Sequence, residues 1–398
     1  MKEMEIFGKM SITDEKDEII KKYQTAAKAI IKAGMMPFPL TNTFIEILKY
    51  YLDEEDLEFI KAFKMKQSMT MEQLKKKLKD MSEEEIDRIA QKLAKKGFIF
   101  NQPSSKGFIV YRLMPIVMIG TFEYQFMQNL PESEAELNRI KKIAELYEKL
   151  LEELAGKIQE GYDTIVPVFE KQPSTDRTVT LLSSKGTKSI EINEKMEVQE
   201  QVLPAQTIED IINKFDDIAV GNCFCRQYRK MLGHTCELNA PMETCFTFGK
   251  SARHVIQQGF GRRVSKEEAL KIMKEAEEAG LIHKAFHNSS NIYKDENSIC
   301  NCCKDCCDIF NLWRMGATPI ITSTNYVSQI NQDICIGCGT CIERCPMDTI
   351  SLNDDNKAVV NESHCIGCGI CARFCPEEAV TLKEGMRRVY IPPPRLET

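Results

Sequence analysis

The 398-residue chain has no cysteine before position 223 and no apolar run long enough to cross a membrane. Its most apolar stretch, LMPIVMIG at 113–120, falls far short of the roughly 20 residues that a bilayer-spanning helix needs, and it contains Pro115. Residues 1–35 lack an apolar segment followed by a small-residue cleavage site. These absences predict a cytoplasmic protein with no membrane span, in a compartment that keeps thiols reduced.

Two further absences limit the function. The sequence contains no Gly-rich phosphate loop and no dinucleotide fingerprint, so it gives no support to nucleotide binding. The formal net charge of −6 gives no whole-protein argument for binding nucleic acid. Hydrophobic residues make up 43% and charged residues 28% of the chain, as in ordinary globular proteins, and the length suffices for two or three domains.

Cysteine is abundant, but its seventeen residues are confined to the stretch from Cys223 to Cys375. Eight of them form two copies of the spacing Cys-x2-Cys-x2-Cys-x3-Cys-Pro. A [4Fe–4S] cluster takes four thiolates, of which one tight loop supplies three, and in tandem copies the fourth comes from the other copy. Zinc ribbons use two Cys-x2-Cys pairs instead, and disulfides need an oxidising compartment. The spacing therefore predicts two [4Fe–4S] clusters. The predicted ligand sets are Cys335, Cys338, Cys341 and Cys375 for one cluster and Cys365, Cys368, Cys371 and Cys345 for the other.

The two halves of this segment, NQDICIGCGTCIERCPMDTI and NESHCIGCGICARFCPEEAV, resemble a bacterial-type two-cluster ferredoxin domain over residues 331–383. The resemblance implies a small β-rich fold that moves single electrons to and from redox partner proteins. It also implies that four apolar residues line the clusters. These residues are Ile350, Leu352, Val359 and Val380.

The cysteine-free N-terminal part is predicted to be mainly helical, over 19–33 and 43–63. Two capping boxes, Thr70 with Gln73 and Ser82 with Glu85, predict helices over 71–79 and 83–96. A β-hairpin, FIF then NQPSSKG then FIVYRL, follows them. This order of elements resembles a winged-helix domain over residues 52–113.

Winged helices often bind DNA, but the charges of this one disfavour it. The candidate recognition helix, SEEEIDRIAQKLAKK, has no net charge, and its first turn carries three consecutive glutamates. DNA affinity depends heavily on neutralising phosphates, and acidic side chains would be repelled where a recognition helix contacts bases. We therefore expect a protein-interaction or dimerisation module before a DNA-binding one.

A long helix is predicted from Pro131 to about Gly161, with an apolar stripe at spacings of three and four residues. The stripe is expected to pack on the protein's own core, or alternatively to pair two chains as a homodimer. Residues 163–200, with VPVF, VTLL and IEI between polar turns, predict strands or an extended connection. Ser265 with Glu268 predicts the start of another helix that ends at Gly280.

Nine cysteines in the middle region exceed what packing requires and predict a further metal site, either zinc or another iron–sulfur cluster. One group of four, between Cys223 and Cys245, could form a tetrahedral site, and a second group of five could form another or share the first. His234 could join a mixed site. The candidates are Cys223, Cys225, Cys236 and Cys245, then Cys300, Cys302, Cys303, Cys306 and Cys307.

The adjacent pairs Cys302-Cys303 and Cys306-Cys307 resemble the Cys-Cys motifs of heterodisulfide reductase catalytic subunits, which hold clusters that cleave disulfides. Those motifs continue as Cys-Cys-Gly and are widely spaced, whereas here five cysteines lie within eight residues. The whole segment from GNCFCR to TNYVSQINQDICIGCG is similar to ferredoxin-domain proteins of anaerobic bacteria and archaea. That similarity implies iron–sulfur electron transfer.

Together these patterns predict an α+β multidomain protein. The predicted domains are a helical region at 1–130 with the winged helix at 52–113, a long helix and connection at 131–204, a cysteine-rich domain at 205–325, a two-cluster domain at 326–384 and an extended tail at 385–398. The predicted function is electron transfer, as a subunit or donor for an anaerobic oxidoreductase. Alternatives are a redox-responsive transcriptional regulator and a reductase that uses the middle cysteines.

Overall fold

The structure, a computed structural model, describes residues 18–34, 38–117, 120–174, 176–179, 192–195, 207–288 and 291–396. The chain divides into two compact units. The first unit comprises Met1–Gly161, Gln227–His234 and Arg253–Arg262, and the second comprises Tyr162–Arg226, Thr235–Ala252 and Arg263–Thr398. Among the described helices, none combines the length and the hydropathy that a bilayer-spanning segment needs.

Helices dominate the first unit. Its described elements before Gly161 are α1 (Glu18–Ala33), α2 (Asn42–Tyr51), α3 (Glu54–Lys61), β1 (Ser68–Met69), α4 (Met71–Lys77), α5 (Glu83–Lys95), β2 (Ile99–Pro103), β3 (Ile109–Leu113), α6 (Thr121–Met127) and α7 (Glu134–Glu160). The helices predicted over 19–33 and 43–63 are confirmed.

Both predicted capping boxes are present. The side chain of Thr70 accepts a hydrogen bond from the Gln73 amide, and the Gln73 side chain accepts one from the Thr70 amide. Ser82 and Glu85 make the same reciprocal pair at the start of α5. Each pair satisfies two amides that the first helical turn would otherwise leave without partners.

The predicted hairpin is also present, as β2 and β3 pair antiparallel with Asn101 opposite Tyr111. β1 joins them, so the three-stranded sheet has the order β1-β3-β2. The Tyr111 hydroxyl donates a hydrogen bond of 3.0 Å to the Asp87 carboxylate of α5. The hairpin is therefore attached directly to the helix that precedes it.

The apolar stripe of α7 is covered within this chain. Its buried residues include Ile140, Leu151 and Leu154, and the helix packs against α2. The Thr43 hydroxyl of α2 donates a hydrogen bond of 2.6 Å to Glu153 of α7. The stripe packs on the protein's own core, as the first of the two alternatives predicted, and the homodimer through residues 131–161 stays a prediction.

The second unit is built on a mixed sheet. After α7 the described elements are α8 (Tyr162–Glu170), β4 (Asp176–Val179), β5 (Ile192–Lys195), α9 (Ile208–Asn213), β6 (Ile218–Asn222), α10 (Phe224–Met231), β7 (Glu243–Phe248), α11 (Gly249–Gln258), β8 (Arg262–Arg263), α12 (Lys266–Glu278), β9 (Ile282–His287), β10 (Glu296–Cys302), α13 (Asp308–Arg314), β11 (Ile320–Ile330), α14 (Thr340–Arg344), β12 (Ile350–Leu352), β13 (Ala358–Val360), α15 (Ile370–Phe374) and β14 (Val380–Ile391).

In the described part of the chain, nine strands form this sheet, in the order β5-β14-β11-β4-β9-β10-β7-β6-β8. The longest pairing joins β11 and β14 antiparallel, from Ile320 opposite Ile391 to Ile330 opposite Val380. Both strands are rich in β-branched residues, which suit a pleated surface. Because β11 runs through position 325, the sheet continues across the boundary predicted between residues 205–325 and 326–384.

The prediction of extended structure for VPVF is wrong. These residues lie in helix α8, where Ile165, Val166 and Phe169 are buried on one side. The Tyr390 hydroxyl of β14 donates a hydrogen bond of 3.2 Å to the Val166 carbonyl, so tertiary packing outweighs the β-branched composition. Of the other two predicted strands, VTLL begins at the end of β4 and IEI ends at the start of β5, and their remaining residues lie outside the described part of the chain.

Candidate iron–sulfur and metal centres

The eight cysteines of the repeated spacing surround two cavities in the second unit. The first cavity is about 360 Å³ and the second about 330 Å³. Each takes three cysteines from one copy of the spacing and the fourth from the other, which is the arrangement that the spacing predicts. The first quartet is Cys335, Cys338, Cys341 and Cys375, and the second is Cys345, Cys365, Cys368 and Cys371.

Glycines shape the loops that carry these cysteines. Gly337 and Gly339 both have left-handed backbone, with φ of 69° and 81°. A Cβ on Gly337 would lie 2.0 Å from the Asn356 carbonyl oxygen, whereas a Cβ on Gly339 would meet no atom within 4 Å. The loop therefore needs glycine at 337 for both its backbone angle and its close approach to residue 356.

Several sulfur atoms have hydrogen-bonding partners that do not belong to the quartets. The Ala358 amide donates to Cys335 Sγ at 3.4 Å. Hydroxyl oxygens of Ser328 and Thr349 lie 3.1 and 3.3 Å from the sulfurs of Cys371 and Cys345. Hydrogen bonds to sulfur orient ligands and tune the potential of a bound cluster. The four thiols around each cavity thus fit the donor set that a [4Fe–4S] cluster requires.

The apolar lining differs partly from what the ferredoxin resemblance implies. Val380 lines the first cavity and Ile350 the second, as expected. Leu352 is 41% exposed, and neither it nor Val359 lines a cavity. Ala358 and Val360 line the cavities instead, because alternate residues of β13 point to opposite faces. The contact expected of Val359 is made instead by the residues on either side of it in the sequence.

The nine middle cysteines also lie in the second unit, but they group differently from their order in the sequence. Cys236, Cys303 and Cys306 form a compact quartet with Asp305, in which all four ligand atoms lie within 4.8 Å of one another. Cys236 is therefore separated from the other three cysteines with which the sequence first grouped it. The remaining six thiols form a second group, which we call the six-thiol group: Cys223, Cys225, Cys245, Cys300, Cys302 and Cys307.

Neighbouring strands bring the six-thiol group together. β10 and β7 pair antiparallel with Ile299 opposite Phe246, which places Cys300 beside Cys245. The thiols of these two cysteines are hydrogen-bonded, as are those of Cys302 and Cys307.

The other end of the group lies at the start of α10. Cys225 is hydrogen-bonded to both Cys223 and Cys307. Cys300 and Cys302 interact electrostatically, which links the Cys245–Cys300 pair to the other four thiols. The six-thiol group is therefore one set of interacting thiols rather than isolated buried cysteines.

Charge within the six-thiol group is distributed unevenly. A hydrogen bond from Cys225 lowers the pKa of Cys223, assisted by Arg226, while burial opposes this shift. Hydrogen bonds from Cys225 and Cys302 hold the pKa of Cys307 well below its usual range. Cys223 and Cys307 are thus the members of the six-thiol group that ionise most readily. The ionised form, the thiolate, is the form of cysteine that binds metals.

Two buried cations accompany these thiols. Lys284 is fully buried, pairs with Asp176 at 2.7 Å and interacts electrostatically with Cys302 and Cys307. Burial lowers the pKa of Lys284, but Asp176 outweighs burial and leaves that pKa above its ordinary value. The second cation, Arg226, interacts electrostatically with Cys223, Cys303 and Cys236, so it lies between the six-thiol group and the compact quartet.

Sequence reasoning missed three polar residues of this region, namely Asp305, Arg226 and Lys284. The position of Asp305 between two cysteines was a usable signal, because carboxylates also bind zinc. Arg226 and Lys284 are placed by long-range pairing and carry no local signal. The suggested ligand His234 is absent from the compact quartet, since no histidine belongs to a group of three or more close ligand atoms among the described residues.

One apolar core connects the two cysteine-rich regions. It includes Cys302 and Cys307 of the six-thiol group together with Cys341 and Cys371 of the two cavities, and Phe310 is fully buried among them. Excluding water from this space lowers the local dielectric, which strengthens electrostatic coupling between charged centres. The six-thiol group and the two cavities therefore share an apolar core within one unit.

Comparison with known proteins identifies part of the second unit. Residues 328–382 match the family described as 4Fe-4S dicluster domain. A probable ferredoxin of Methanosarcina thermophila is 53% identical over 34 residues, which cover 8% of this chain and 59% of that ferredoxin. No solved structure matches the chain. The dicluster domain implies two [4Fe–4S] clusters and suggests iron–sulfur electron transfer.

The crossed arrangement of the quartets predicts how pairs of cysteine substitutions combine. Cys338→Ala and Cys375→Ala should each remove about four irons per chain, and the double variant should still remove only about four, because both residues border one cavity. Cys338→Ala with Cys345→Ala should remove about eight, because these residues border different cavities.

Iron and sulfide analysis of the anaerobically purified full-length variants measures these losses. Because each result is a difference from wild type, iron bound elsewhere in the chain does not affect it. A loss of about eight irons from the Cys338→Ala and Cys375→Ala pair would contradict the crossed ligand sets.

The two loop glycines provide a matched pair of stability variants. Gly339→Ala should cost roughly 1–2 kcal/mol, the usual penalty for a left-handed Cβ residue. Gly337→Ala should cost more and release iron at a lower temperature, because its Cβ would also overlap the Asn356 carbonyl. Anaerobic thermal bleaching of the cluster absorbance at one scan rate compares them. Equal midpoints would show that the contact with Asn356 is unimportant.

Proposed function

We propose that this chain is an electron-transfer protein that carries single electrons through two [4Fe–4S] clusters, as a subunit of or donor to an oxidoreductase of anaerobic metabolism. The observation that carries the proposal is the pair of cysteine quartets around two cavities, within a segment that matches a dicluster domain. When bound, each cluster supplies a one-electron redox couple. We place the protein in a reducing cytoplasm, where thiols stay available as ligands.

The residues of the chain support this role in two ways. Five of the quartet cysteines are buried: Cys335, Cys341, Cys345, Cys365 and Cys371. Cys338 of the first quartet is exposed and the neighbouring Ile336 is 62% exposed, so one edge of this cavity faces solvent. A protein partner could approach there closely enough for electron exchange.

The first unit supports an interaction role rather than DNA recognition. The order α3, β1, α4, α5, β2, β3 resembles a winged helix. Three basic residues in and just after α5 are paired with the acidic start of α3: Lys92 lies 3.0 Å and Lys96 2.6 Å from the carboxylate of Asp56, which is fully buried, and Arg88 pairs with Glu55. These three cations are therefore less available to neutralise phosphates.

A second candidate function is a reductase in which the six-thiol group itself accepts and donates electrons. The shared apolar core favours it, because Cys302 and Cys307 pack together with cysteines of both quartets. In this case the dicluster domain would supply electrons to chemistry at the six-thiol group. Counting electrons separates the two candidates.

The electron count is measured by reducing the full-length protein anaerobically, removing the reductant and titrating with oxidised cytochrome c. Wild type should deliver about two electrons per chain, one from each cluster. The Cys338→Ala and Cys375→Ala pair should deliver about one, because one cluster is missing.

The matched control is the Cys302→Ala and Cys307→Ala pair, which leaves both quartets intact. An electron carrier that uses only its dicluster domain should give the wild-type count in this control. A wild-type count above two that falls to two in the control would favour the reductase. Failure of wild type to deliver any electrons would refute both functions.

DNA binding provides the test of the regulator alternative. At physiological salt the protein should bind random duplex DNA no more tightly than the non-specific range of roughly 10⁻⁴ to 10⁻⁶ M, because Arg88, Lys92 and Lys96 are paired with carboxylates. Asp53→Asn with Glu55→Gln should strengthen that binding at low salt, because it frees Arg88 and removes two of the three carboxylates that pair with Lys92. Fluorescence anisotropy measures both. Nanomolar binding of wild type to a discrete sequence would support a regulator instead.

A further inference from the structure

The compact quartet differs from every other cysteine group in the described part of the chain. The sulfurs of Cys236, Cys303 and Cys306 and a carboxylate oxygen of Asp305 all lie within 4.8 Å of one another. Three of these ligands lie in the turn after β10, where Cys303 and Cys306 have the Cys-x2-Cys spacing of zinc sites. Cys236 comes from the segment between α10 and β7.

The size of the quartet matches a single ion. Ligands about 2.3 Å from a tetrahedrally coordinated metal lie about 3.8 Å from each other, a separation that the 4.8 Å limit accommodates. A cubane cluster interposes four irons between its ligands and holds them farther apart. The two ferredoxin quartets illustrate this, because neither brings three of its sulfurs within 4.8 Å of one another in the described residues.

The surroundings of the quartet are those of a closed structural site. Cys303 and Cys306 belong to an apolar cluster with Ala276 and Leu281, and Cys236 packs against it. The Asp305 carboxylate accepts a hydrogen bond of 2.9 Å from the Glu237 amide, which fixes its orientation beside the sulfurs. Two of the four ligands, Cys303 and Cys306, are buried and the other two are half-buried. Oriented ligands at least partly shielded from water are typical of structural zinc sites.

Charge balance at the quartet also points to a divalent cation. Three thiolates and one carboxylate carry four negative charges when they act as ligands. The buried guanidinium of Arg226, which lies 3.9 Å from Cys303 Sγ, supplies one positive charge. It is held in place by the carbonyls of Asn301 at 3.0 Å and Pro241 at 2.9 Å. A divalent cation would reduce the remaining excess of negative charges from three to one.

We propose that Cys236, Cys303, Asp305 and Cys306 bind one mononuclear divalent ion of the zinc class, separate from the iron–sulfur centres. Soft thiolate ligands in a tetrahedral set select zinc over magnesium or calcium. The ion connects the segment around Cys236 to the turn that lies between Cys302 and Cys307. It therefore holds two members of the six-thiol group in position without taking part in electron transfer.

Metal analysis of the full-length protein, purified anaerobically without chelator, tests this site. Wild type should contain about one zinc per chain in addition to its iron. Cys236→Ala and Cys306→Ala should each lose that zinc and keep the iron of the dicluster domain. Glu237→Gln is the matched control, because it removes an exposed carboxylate next to Cys236 that lies outside the quartet, and it should keep both metals.

Replacing the zinc with Co²⁺ adds a spectroscopic readout. Thiolate-bound tetrahedral Co²⁺ gives intense visible bands, which should appear in wild type, shift in Asp305→Ala and vanish in Cys306→Ala. If a cysteine variant loses all its iron as well as its zinc through misfolding, the decision rests on Asp305→Ala, which keeps all three thiols.

Three outcomes would overturn the proposal. The first is wild type without zinc and without the cobalt bands. The second is retention of zinc by both cysteine variants. The third is loss of about four irons in a folded Cys236→Ala protein, which would assign the quartet to a polynuclear cluster. None of these outcomes bears on the electron count of the dicluster domain, so the proposed function stands or falls separately.

Discussion

The pairing of β11 with β14 is the constraint on which the second unit depends. The dicluster segment begins where β11 ends at Ile330 and returns to the sheet at Val380, directly opposite. At the far end of the pair, the Trp313 indole of α13 donates a hydrogen bond of 2.9 Å to the Pro392 carbonyl just beyond β14. Since α13 follows Cys307 directly, one long ladder fixes both the dicluster loops and the cysteine-rich turn.

Concentrated negative charge is the second constraint. Thiolates cannot lie close together in an apolar core unless cations offset their charge. Arg226 and Lys284 supply two such positive charges from fixed positions beside the middle cysteines. Asp176 keeps Lys284 protonated, and the Thr322 hydroxyl donates a hydrogen bond of 2.8 Å to the same carboxylate. Lys284, Asp176 and Thr322, from the three neighbouring strands β9, β4 and β11, thus hold one positive charge in place beside the thiols.

The features that the sequence predicted well are those with local causes. Capping boxes at Thr70 and Ser82, the hairpin after Gly97 and the cysteine spacing of the dicluster domain depend on residues a few positions apart. The nine-stranded sheet does not, because β4 pairs in parallel with β11 and brings Thr178 within 3.3 Å of Thr322 across 144 positions. The sequence left the partition of the middle cysteines open for the same reason, since Cys236 meets Cys303 only through the fold. The helix α8 was missed because its burial comes from packing near β14.

Because the two cavities are unequally exposed, air should damage the clusters in them one after the other. Cys338 is exposed, whereas Cys345, Cys365 and Cys371 of the other quartet are buried. Dioxygen reaches an exposed thiolate and its iron before it reaches a buried one. Brief exposure to air should therefore leave a population that keeps only the cluster of the second quartet, which includes the buried Cys345, Cys365 and Cys371. Protein in this state would retain its fold around β11 and β14 but would lack the cluster of the first quartet.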